Sequence, residues 1–259
     1  MNIRADPEWW KHCFDEIYLI TDARSVCDHD ITKREVDIVC GLLDLHPGER
    51  VLDLCGGHGR HSIELYNRGV TDCTLVDYSP YLIDCASGKA RQLGIELACV
   101  QADARDTGLP SDSFDHVLIL GNSLGYSEEP DSDTAILTES RRVLRLCGTV
   151  LVDVVDGSSL KRSFIPNAWH EIGDDIIVCR ERELAGDRVN AREIVLSRKD
   201  GIIRDHTYSI RFYHPPSLKA LLRRAGFVDV RIHTRFSPHK RSGDYGCMNN
   251  RMIGIGRKQ

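Results

Sequence analysis

The stretch that decides the fold is Val51-Leu52-Asp53-Leu54-Cys55-Gly56-Gly57-His58-Gly59-Arg60-His61-Ser62. Its first four residues are typical of a short buried strand, and the glycines that follow predict a turn into a helix beginning at Ser62. In an α/β protein, such a junction leaves backbone N–H groups and a helix N-terminus open to a ligand. Glycine also lets the ligand approach the main chain closely, because no Cβ is in the way. The stretch therefore predicts a nucleotide-type pocket.

Composition and charge limit the class of protein. The 259 residues suffice for one large domain, and 41% hydrophobic and 28% charged residues are ordinary for a soluble globular protein. A formal net charge of −5 argues against a nucleic-acid partner, which favours a basic surface. No apolar run approaches the roughly 20 residues that span a bilayer, and residues 1–7 lack the apolar core of a signal peptide. We expect a cytoplasmic protein without a membrane partner, and a homodimer is left open.

The ten cysteines indicate neither a metal site nor a disulfide framework. They include no Cys-x-x-Cys pair, and most lie among apolar neighbours, where free cysteine behaves as a small hydrophobic residue. We therefore expect reduced thiols and no metal.

Strand and helix patterns alternate from residue 50 onward, which predicts a parallel, doubly wound α/β sheet. The predicted strands of this sheet cover residues 51–54, 73–76, 98–101, 116–120, 149–155, 228–234 and 252–256. The predicted helices cover residues 62–68, 81–93, 133–146 and 216–225. Together they give a seven-stranded, Rossmann-like cofactor-binding core over residues 48–156 and 215–259.

Two further segments flank or interrupt this core. Residues 176–184, 189–197 and 202–213 are β-rich runs separated by turns, which predicts an antiparallel three-strand insertion over residues 157–214 that caps the substrate pocket. Residues 1–47 are predicted to be a helical lid. A first helix precedes a polar loop at 21–30, and a second, amphipathic helix follows at 32–45. A helix that merely packs on the sheet edge is an equal alternative for this segment.

The ends of the first four predicted strands carry the candidate ligand-binding residues. Asp53, Asp77, Asp103 and Asn122 follow them in turn, and open α/β sheets bind ligands beyond these carboxyl ends. Asp77 lies about twenty residues past the glycine turn, where an acid can take both ribose hydroxyls, as in NAD-binding proteins. The NAD fingerprint Gly-x-Gly-x-x-Gly fails, however, because Ser62 stands where its third glycine belongs.

At these residues the chain resembles the class I S-adenosylmethionine-dependent methyltransferases. Their glycine motif, Asp-x-Gly-x-Gly-x-Gly, lies over residues 53–59, with Cys55 in place of the first glycine. Similar segments follow in order at 102–115, 142–149 and 213–227, so the resemblance covers residues 48–259. It is specific for the family and its Rossmann-like methyltransferase sheet, and it does not specify a substrate.

The resemblance implies S-adenosylmethionine as the cofactor and assigns a role to each matching residue. Asp53 and the backbone of Cys55, Gly56 and Gly57 would hold the methionine end. Asp77 would take the ribose and Tyr78 would pack on the adenine. Asp103 and Ala104 would read the adenine edge, and Asn122 would lie beneath the sulfonium. A strand-end or helix-capping acid is the plain alternative for each aspartate taken singly.

Residues of the catalytic and acceptor site are harder to select from sequence. His61, Tyr18 and His170 are candidates for a general base, which is needed only if the acceptor must lose a proton. Trp169 is a candidate aromatic wall of a small-molecule pocket. Arg211 and Tyr213 share one face of the third meander strand, and Arg211 would favour an anionic acceptor if that face looks into the pocket. A solvated face is the equal alternative.

Several functions therefore stay open. The leading hypothesis is in-line transfer of the sulfonium methyl to an N, O or C nucleophile of a small molecule, since both flanking segments are placed to cap a pocket. Methylation of RNA or protein is the second hypothesis. A non-methylating S-adenosylmethionine-using transferase or cyclase is the third, and a non-catalytic binding protein of the same fold is the fourth.

Overall fold

The structure is a computed structural model that describes residues 3–236, 238–239, 245–249 and 251–259. Its strands are β1 (Arg50–Leu54), β2 (Asp72–Asp77), β3 (Ala98–Gln101), β4 (Phe114–Ile119), β5 (Leu144–Val155), β6 (Asn167–Ile172), β7 (Ile176–Ala185), β8 (Arg188–Ser197), β9 (Gly201–Arg211), β10 (Val228–Phe236) and β11 (Arg251–Arg257). Its α-helices are α1 (Glu16–Thr21), α2 (Ala23–Val26), α3 (His29–Leu43), α4 (Arg60–Asn67), α5 (Pro80–Leu93), α6 (Ser132–Val143), α7 (Gly157–Arg162) and α8 (Pro215–Arg224).

The larger sheet has seven strands in the order β10-β11-β5-β4-β1-β2-β3. Strands β1 to β5 pair in parallel, whereas β11 is antiparallel to both β5 and β10. The strand order reverses between β1 and β4, and such a switch point opens a crevice at the carboxyl ends of the strands. The predicted seven-stranded, Rossmann-like sheet is confirmed.

Both faces of this sheet are buried, which explains the nearly continuous apolar runs of its strands. All six residues of β4 are buried, and successive residues of β1 and β4 enter different hydrophobic clusters. One cluster contains apolar residues of α6 and α8, and the other contains apolar residues of α3 and α4. Helices therefore cover the sheet on both sides, as the doubly wound prediction requires.

The smaller sheet is antiparallel and has four strands in the order β6-β7-β8-β9, one more than the predicted meander. β7, β8 and β9 correspond to the three predicted strands. The extra strand, β6, is an edge strand in which no residue is fully buried. It lacks the buried apolar face on which a strand prediction depends, and for that reason the sequence pattern misses it.

The N-terminal segment is more broken than predicted. A 3₁₀ turn, Trp9–Lys11, and the short helices α1 and α2 precede α3, so the predicted loop at residues 21–30 is wrong where α2 lies. Side-chain contacts bind this segment to the start of α5 and to the small sheet: Ser79 Oγ, at the N-cap of α5, donates to the Phe14 carbonyl at 2.6 Å, and Arg204 of β9 pairs with Asp15. None of the described helices is both long enough and apolar enough to cross a membrane.

Candidate active site

The glycine turn between β1 and α4 forms the floor of the site. Gly57 and Gly59 have φ values of 59° and 80°, and Cys55 has a φ of 61°, in the left-handed region that favours glycine. Cys55 thus keeps the turn in a conformation that the family's usual glycine adopts more easily. Gly56 is required for a different reason, since a Cβ there would lie 2.8 Å from Asp53 Cγ.

Asp53 lies beneath this turn and outside the lining of the pocket, and its contact with the cofactor stays a prediction. Its side chain is buried, and its Oδ2 accepts a hydrogen bond from Ser62 Oγ at 2.7 Å. Asp53 therefore ties the end of β1 to the start of α4 and shapes the loop between them.

A pocket of about 1040 Å³, which we call the cofactor pocket, opens above the turn at the carboxyl ends of β1, β2 and β4. Its lining includes seven of the residues predicted to bind the cofactor: Cys55, Gly56, Gly57, Asp77, Tyr78, Asp103 and Ala104. In the structure, Asp77 Oδ2 accepts from the Gly57 N–H at 2.8 Å and Oδ1 accepts from the Ser79 N–H at 2.9 Å. Burial raises the pKa of Asp77 above its usual range, against the effect of these N–H donors.

Aromatic and charged side chains gather at one end of the cofactor pocket. The Trp10 ring meets the Tyr78 ring edge to face at 4.9 Å, and the Arg105 guanidinium lies 5.5 Å from the Trp10 ring centre. Arg105 also pairs with Asp103 at 2.6 Å. Burial raises the pKa of Asp103, but the hydrogen bonds and charge of Arg105 outweigh it and hold the carboxyl below its usual range. This end suits a flat, polar-edged ring such as a purine.

The opposite end of the cofactor pocket carries a buried guanidinium that the sequence interpretation missed. Arg60 is the first residue of α4, and its Nη1 donates to Thr32 Oγ1 at 3.1 Å and pairs with Glu35. Its buried Nη2 has no hydrogen-bond partner in the described part of the chain. Burial and the Arg60 charge lower the pKa of the neighbouring His58 to about 4, so His58 is neutral at pH 7. An orphaned donor at a helix N-terminus suits a carboxylate.

A second pocket of about 710 Å³, which we call the acceptor pocket, adjoins the first. The two pockets share a wall, formed by Phe14, Tyr18, Val26, Gly121 and Tyr126. The rest of the acceptor pocket is lined by the N-terminal segment, by β7 to β9 and by residues 245, 247 and 248. Asn122, predicted to lie beneath the sulfonium, lines this second pocket, and its Oδ1 accepts from the Val155 N–H at 2.9 Å.

A buried ion network connects the ends of the site. The fully buried side chain of Arg251 pairs with Glu35 and donates from Nη1 to Asp153 Oδ2 at 2.7 Å. Asp153 accepts from the backbone N–H groups of Gly121 at 3.1 Å and Asn122 at 2.9 Å. Because Glu35 also holds Arg60, one chain of contacts positions both that orphaned guanidinium and the wall between the pockets.

The three predicted base candidates lie in different environments. His61 lines the cofactor pocket, but it is buried and its Nε2 lies 3.0 Å from Glu35 Oε2, which makes it part of the ion network. Tyr18 lines both pockets, and burial raises the pKa of its hydroxyl, so it is a hydrogen-bond donor rather than a base. His170 lies on β6, at the opposite edge of the small sheet from β9, and lines neither pocket.

The three residues predicted to contact the substrate lie outside the linings of both pockets. Trp169 lies on β6 and is 69% exposed. Arg211 pairs with Asp133 and Asp187, and the Tyr213 hydroxyl donates to Asp133 at 2.5 Å. Arg211 and Tyr213 line neither pocket, although Asp133 lines the cofactor pocket. The face of β9 that was predicted to line the pocket is the opposite of the one that lines it in the structure. The lining comes from the alternate residues Arg204, His206, Tyr208 and Ile210, which removes the reason for expecting an anionic acceptor.

Comparisons with known proteins agree with this geometry. Residues 51–148 match a family described as a methyltransferase domain. The glycine/sarcosine N-methyltransferase of Parasynechococcus marenigrum is 28% identical over 80% of this chain and 72% of its own length. Uncharacterised proteins of Mycobacterium bovis and Mycobacterium tuberculosis are 31% identical over 113 residues, and this chain spans only 39% of their length.

Solved structures share the architecture. An S-adenosylmethionine-dependent methyltransferase from Clostridium acetobutylicum superposes with a TM-score of 0.73 at 17% identity, covering 95% of this chain and 99% of that one. The sugar N-methyltransferase KedS8 of a Streptoalloteichus species superposes with a TM-score of 0.68 at 20% identity, covering 100% and 97%. The fold and the pocket above the glycine turn define a class of protein that binds a nucleotide-type cofactor. Residues 51–148 of this chain are similar to the methyltransferase-domain family, and its fold is the one found in solved S-adenosylmethionine-dependent methyltransferases.

Proposed function

We propose that the protein transfers a methyl group from S-adenosylmethionine to a small-molecule nucleophile bound in the acceptor pocket. The observation that carries this proposal is the shared wall, because a donor in one pocket and an acceptor in the other would meet beside Tyr18, Gly121 and Tyr126. When bound, S-adenosylmethionine supplies a methyl group on a sulfonium, a good leaving group for in-line displacement. Positioning and exclusion of water then account for most of the acceleration.

The residues of the cofactor pocket fit this donor. Gly56 lets the turn pack closely on Asp53 and Leu75, and the orphaned Nη2 of Arg60 suits the carboxylate of the methionine end. Asp77 would take the ribose hydroxyls, and Asp103 and Ala104 would read the adenine edge beside Tyr78. All of these residues line the cofactor pocket, whereas Asp53 acts indirectly by holding the turn.

A small-molecule acceptor is favoured over RNA or protein because the acceptor pocket is bounded on several sides. Residues of the proposed lid, 1–47, line it together with residues of the proposed insertion, 157–214, which supports a capping role for both. An extended polymer needs an open, basic groove instead. The names of the two N-methyltransferases similar to this chain support a nitrogen nucleophile among the N, O and C alternatives.

The test is methyl transfer itself. Incubation with methyl-labelled S-adenosylmethionine and a panel of small metabolites should give S-adenosylhomocysteine and an acceptor that gains one labelled methyl by mass spectrometry. Transfer of an aminocarboxypropyl group, or a cyclised product, would favour the non-methylating alternative. Cofactor binding without turnover on any acceptor would favour a binding protein.

A pair of variants on β9 ties turnover to the acceptor pocket. Ile210→Trp should fill the acceptor pocket and abolish transfer while leaving S-adenosylmethionine affinity unchanged, since Ile210 lines only that pocket. Ile202→Trp is the matched control, because Ile202 lies on the same strand and is 63% exposed. Full activity in Ile210→Trp would refute the assignment of the acceptor pocket.

A further inference from the structure

The charged side chains of the acceptor pocket form a row across the small sheet. Arg180, Glu193 and His206 are cross-strand neighbours on β7, β8 and β9. Arg180 donates from Nε to Glu193 Oε2 at 2.5 Å and from Nη2 to both carboxylate oxygens of Asp22 at 3.2 Å. The His206 ring nitrogen Nε2 lies 3.3 Å from Glu193 Oε1. The N-terminal segment thus contributes a carboxylate to one end of this row.

The carboxylates and guanidiniums that line the acceptor pocket are equal in number. Arg180 is shared between two carboxylates, those of Asp22 and Glu193, and both line the pocket. The other lining guanidinium, Arg204, is matched by Asp15. Among the described residues that line the pocket, the two carboxylates of Asp22 and Glu193 face the two guanidiniums of Arg180 and Arg204. Because Arg180 divides its donors between both carboxylates, each of them keeps oxygen lone pairs that can accept a hydrogen bond from a ligand N–H.

A collar of aromatic rings borders the same pocket. The Trp9 ring lies 4.9 Å from the Tyr126 ring and 5.6 Å from the Tyr208 ring, and Phe14 stacks on Tyr126 at 5.6 Å. Phe14 in turn meets Tyr18 edge to face at 5.0 Å. Rings of this kind attract a cation through their faces and an alkyl group through dispersion. The collar thus suits a substituted ammonium better than a free anion.

One donor in this collar is unused. The Trp9 indole N–H is buried and has no hydrogen-bond partner in the described part of the chain, although Trp9 lines the acceptor pocket. A buried N–H without a partner costs free energy, which a ligand oxygen can recover. The pocket therefore offers carboxylate oxygens for a ligand N–H and a donor for a neighbouring oxygen.

We infer that the acceptor is an aliphatic amine that carries a nearby oxygen, with Asp22 holding the nitrogen and the Trp9 N–H holding the oxygen. This inference rests on the proposed function and names its substrate class. Asp22 first takes a proton from the bound ammonium, and the freed nitrogen lone pair then forms the new N–C bond as the C–S bond breaks. The electron pair of the C–S bond stays on sulfur, which leaves a methylated ammonium and a neutral thioether. Burial raises the pKa of Asp22 above its usual range, against the charge of Arg180, which supports a role as proton acceptor.

Matched acceptors test the atom that is methylated. Wild-type protein is assayed with methyl-labelled S-adenosylmethionine on three pairs: glycine and glycolate, ethanolamine and ethylene glycol, glucosamine and glucose. The inference predicts label on nitrogen in one or more amines and none in the hydroxyl partners. Label on oxygen or carbon in amine-free acceptors would overturn it while leaving the proposed function standing. No transfer to any acceptor, with no binding of S-adenosylmethionine, would refute both.

Variants test the two contacts. Asp22→Asn should lower kcat/KM for the amine by about 100-fold, the effect of losing a charge-assisted hydrogen bond, and leave S-adenosylmethionine affinity unchanged. Asp205→Asn is the matched control, since Asp205 lies on β9 and pairs with Arg192 outside the pocket lining. Trp9→Phe keeps the ring and should raise KM by about 10-fold, with kcat little changed. Wild-type kinetics in both Asp22→Asn and Trp9→Phe would overturn the inference.

Discussion

Replacing Arg251 by methionine tests whether the buried ion network holds the fold together at the site. The side chain of Arg251 has no exposed surface and bridges Glu35 and Asp153. Methionine fills much of the same volume but leaves both carboxylates without this partner. Breaking a buried ion pair by removing one member costs about 3–5 kcal/mol, because the remaining charge is desolvated and uncompensated. We expect a loss of this size in the free energy of unfolding, measured by urea denaturation.

The matched control lies on the same strand. Arg257 is also on β11 and also pairs with an aspartate, Asp229, but its side chain is 43% exposed. Exposed ion pairs contribute about 0–1 kcal/mol, so Arg257→Met should change stability by no more than that. Equal losses in Arg251→Met and Arg257→Met would refute the reasoning. So would full stability of Arg251→Met, since it would mean that Glu35 and Asp153 are satisfied without the arginine.

Two further outcomes follow from the structure. Gly56→Ala should weaken S-adenosylmethionine binding by about 10-fold or more, because its Cβ would lie 2.8 Å from Asp53 Cγ; Gly88→Ala, with open space around it, should leave calorimetric affinity unchanged. Burial raises the pKa of Glu139, but hydrogen bonds from Arg142 outweigh it and lower the pKa to about 2. Glu139 therefore stabilises the fold above its unfolded pKa of about 4.3, and this contribution is lost as pH falls toward about 2. Glu139→Gln should flatten the acid side of the stability profile measured by thermal unfolding, and an unchanged profile would contradict this.

The cofactor half of the site could be predicted from sequence because it is local. A buried strand, a glycine turn and an acid at the next strand end are encoded within about thirty residues, and the parallel sheet brings the strand ends together. Asp77 and Asp103 lie in the lining as expected. Even here the strand pattern did not show that Asp53 bonds to Ser62 under the turn, since that depends on side-chain packing.

The acceptor half could not be predicted, because it is assembled from distant segments. Trp9 meets Tyr126 and Tyr208 across more than a hundred residues, and Arg251 meets Glu35 across 216. The alternation of β9 was correct, but both of its faces carry polar residues, so periodicity alone could not select the one that faces the pocket. That choice follows from the Arg211–Asp133 pair, which directs Arg211 toward Asp133 of the cofactor pocket and away from the acceptor pocket.

The most direct test of the central claim is isothermal titration calorimetry with S-adenosylmethionine on wild type, Asp77→Ala and Asp72→Ala. Both aspartates lie on β2, but Asp77 lines the cofactor pocket and Asp72 is exposed at the start of the strand. We predict one site in wild type, affinity weakened by about 10- to 100-fold in Asp77→Ala through loss of charge-assisted hydrogen bonds, and wild-type affinity in Asp72→Ala. Absence of binding by wild type, or undiminished affinity in Asp77→Ala, would contradict a cofactor site above the glycine turn.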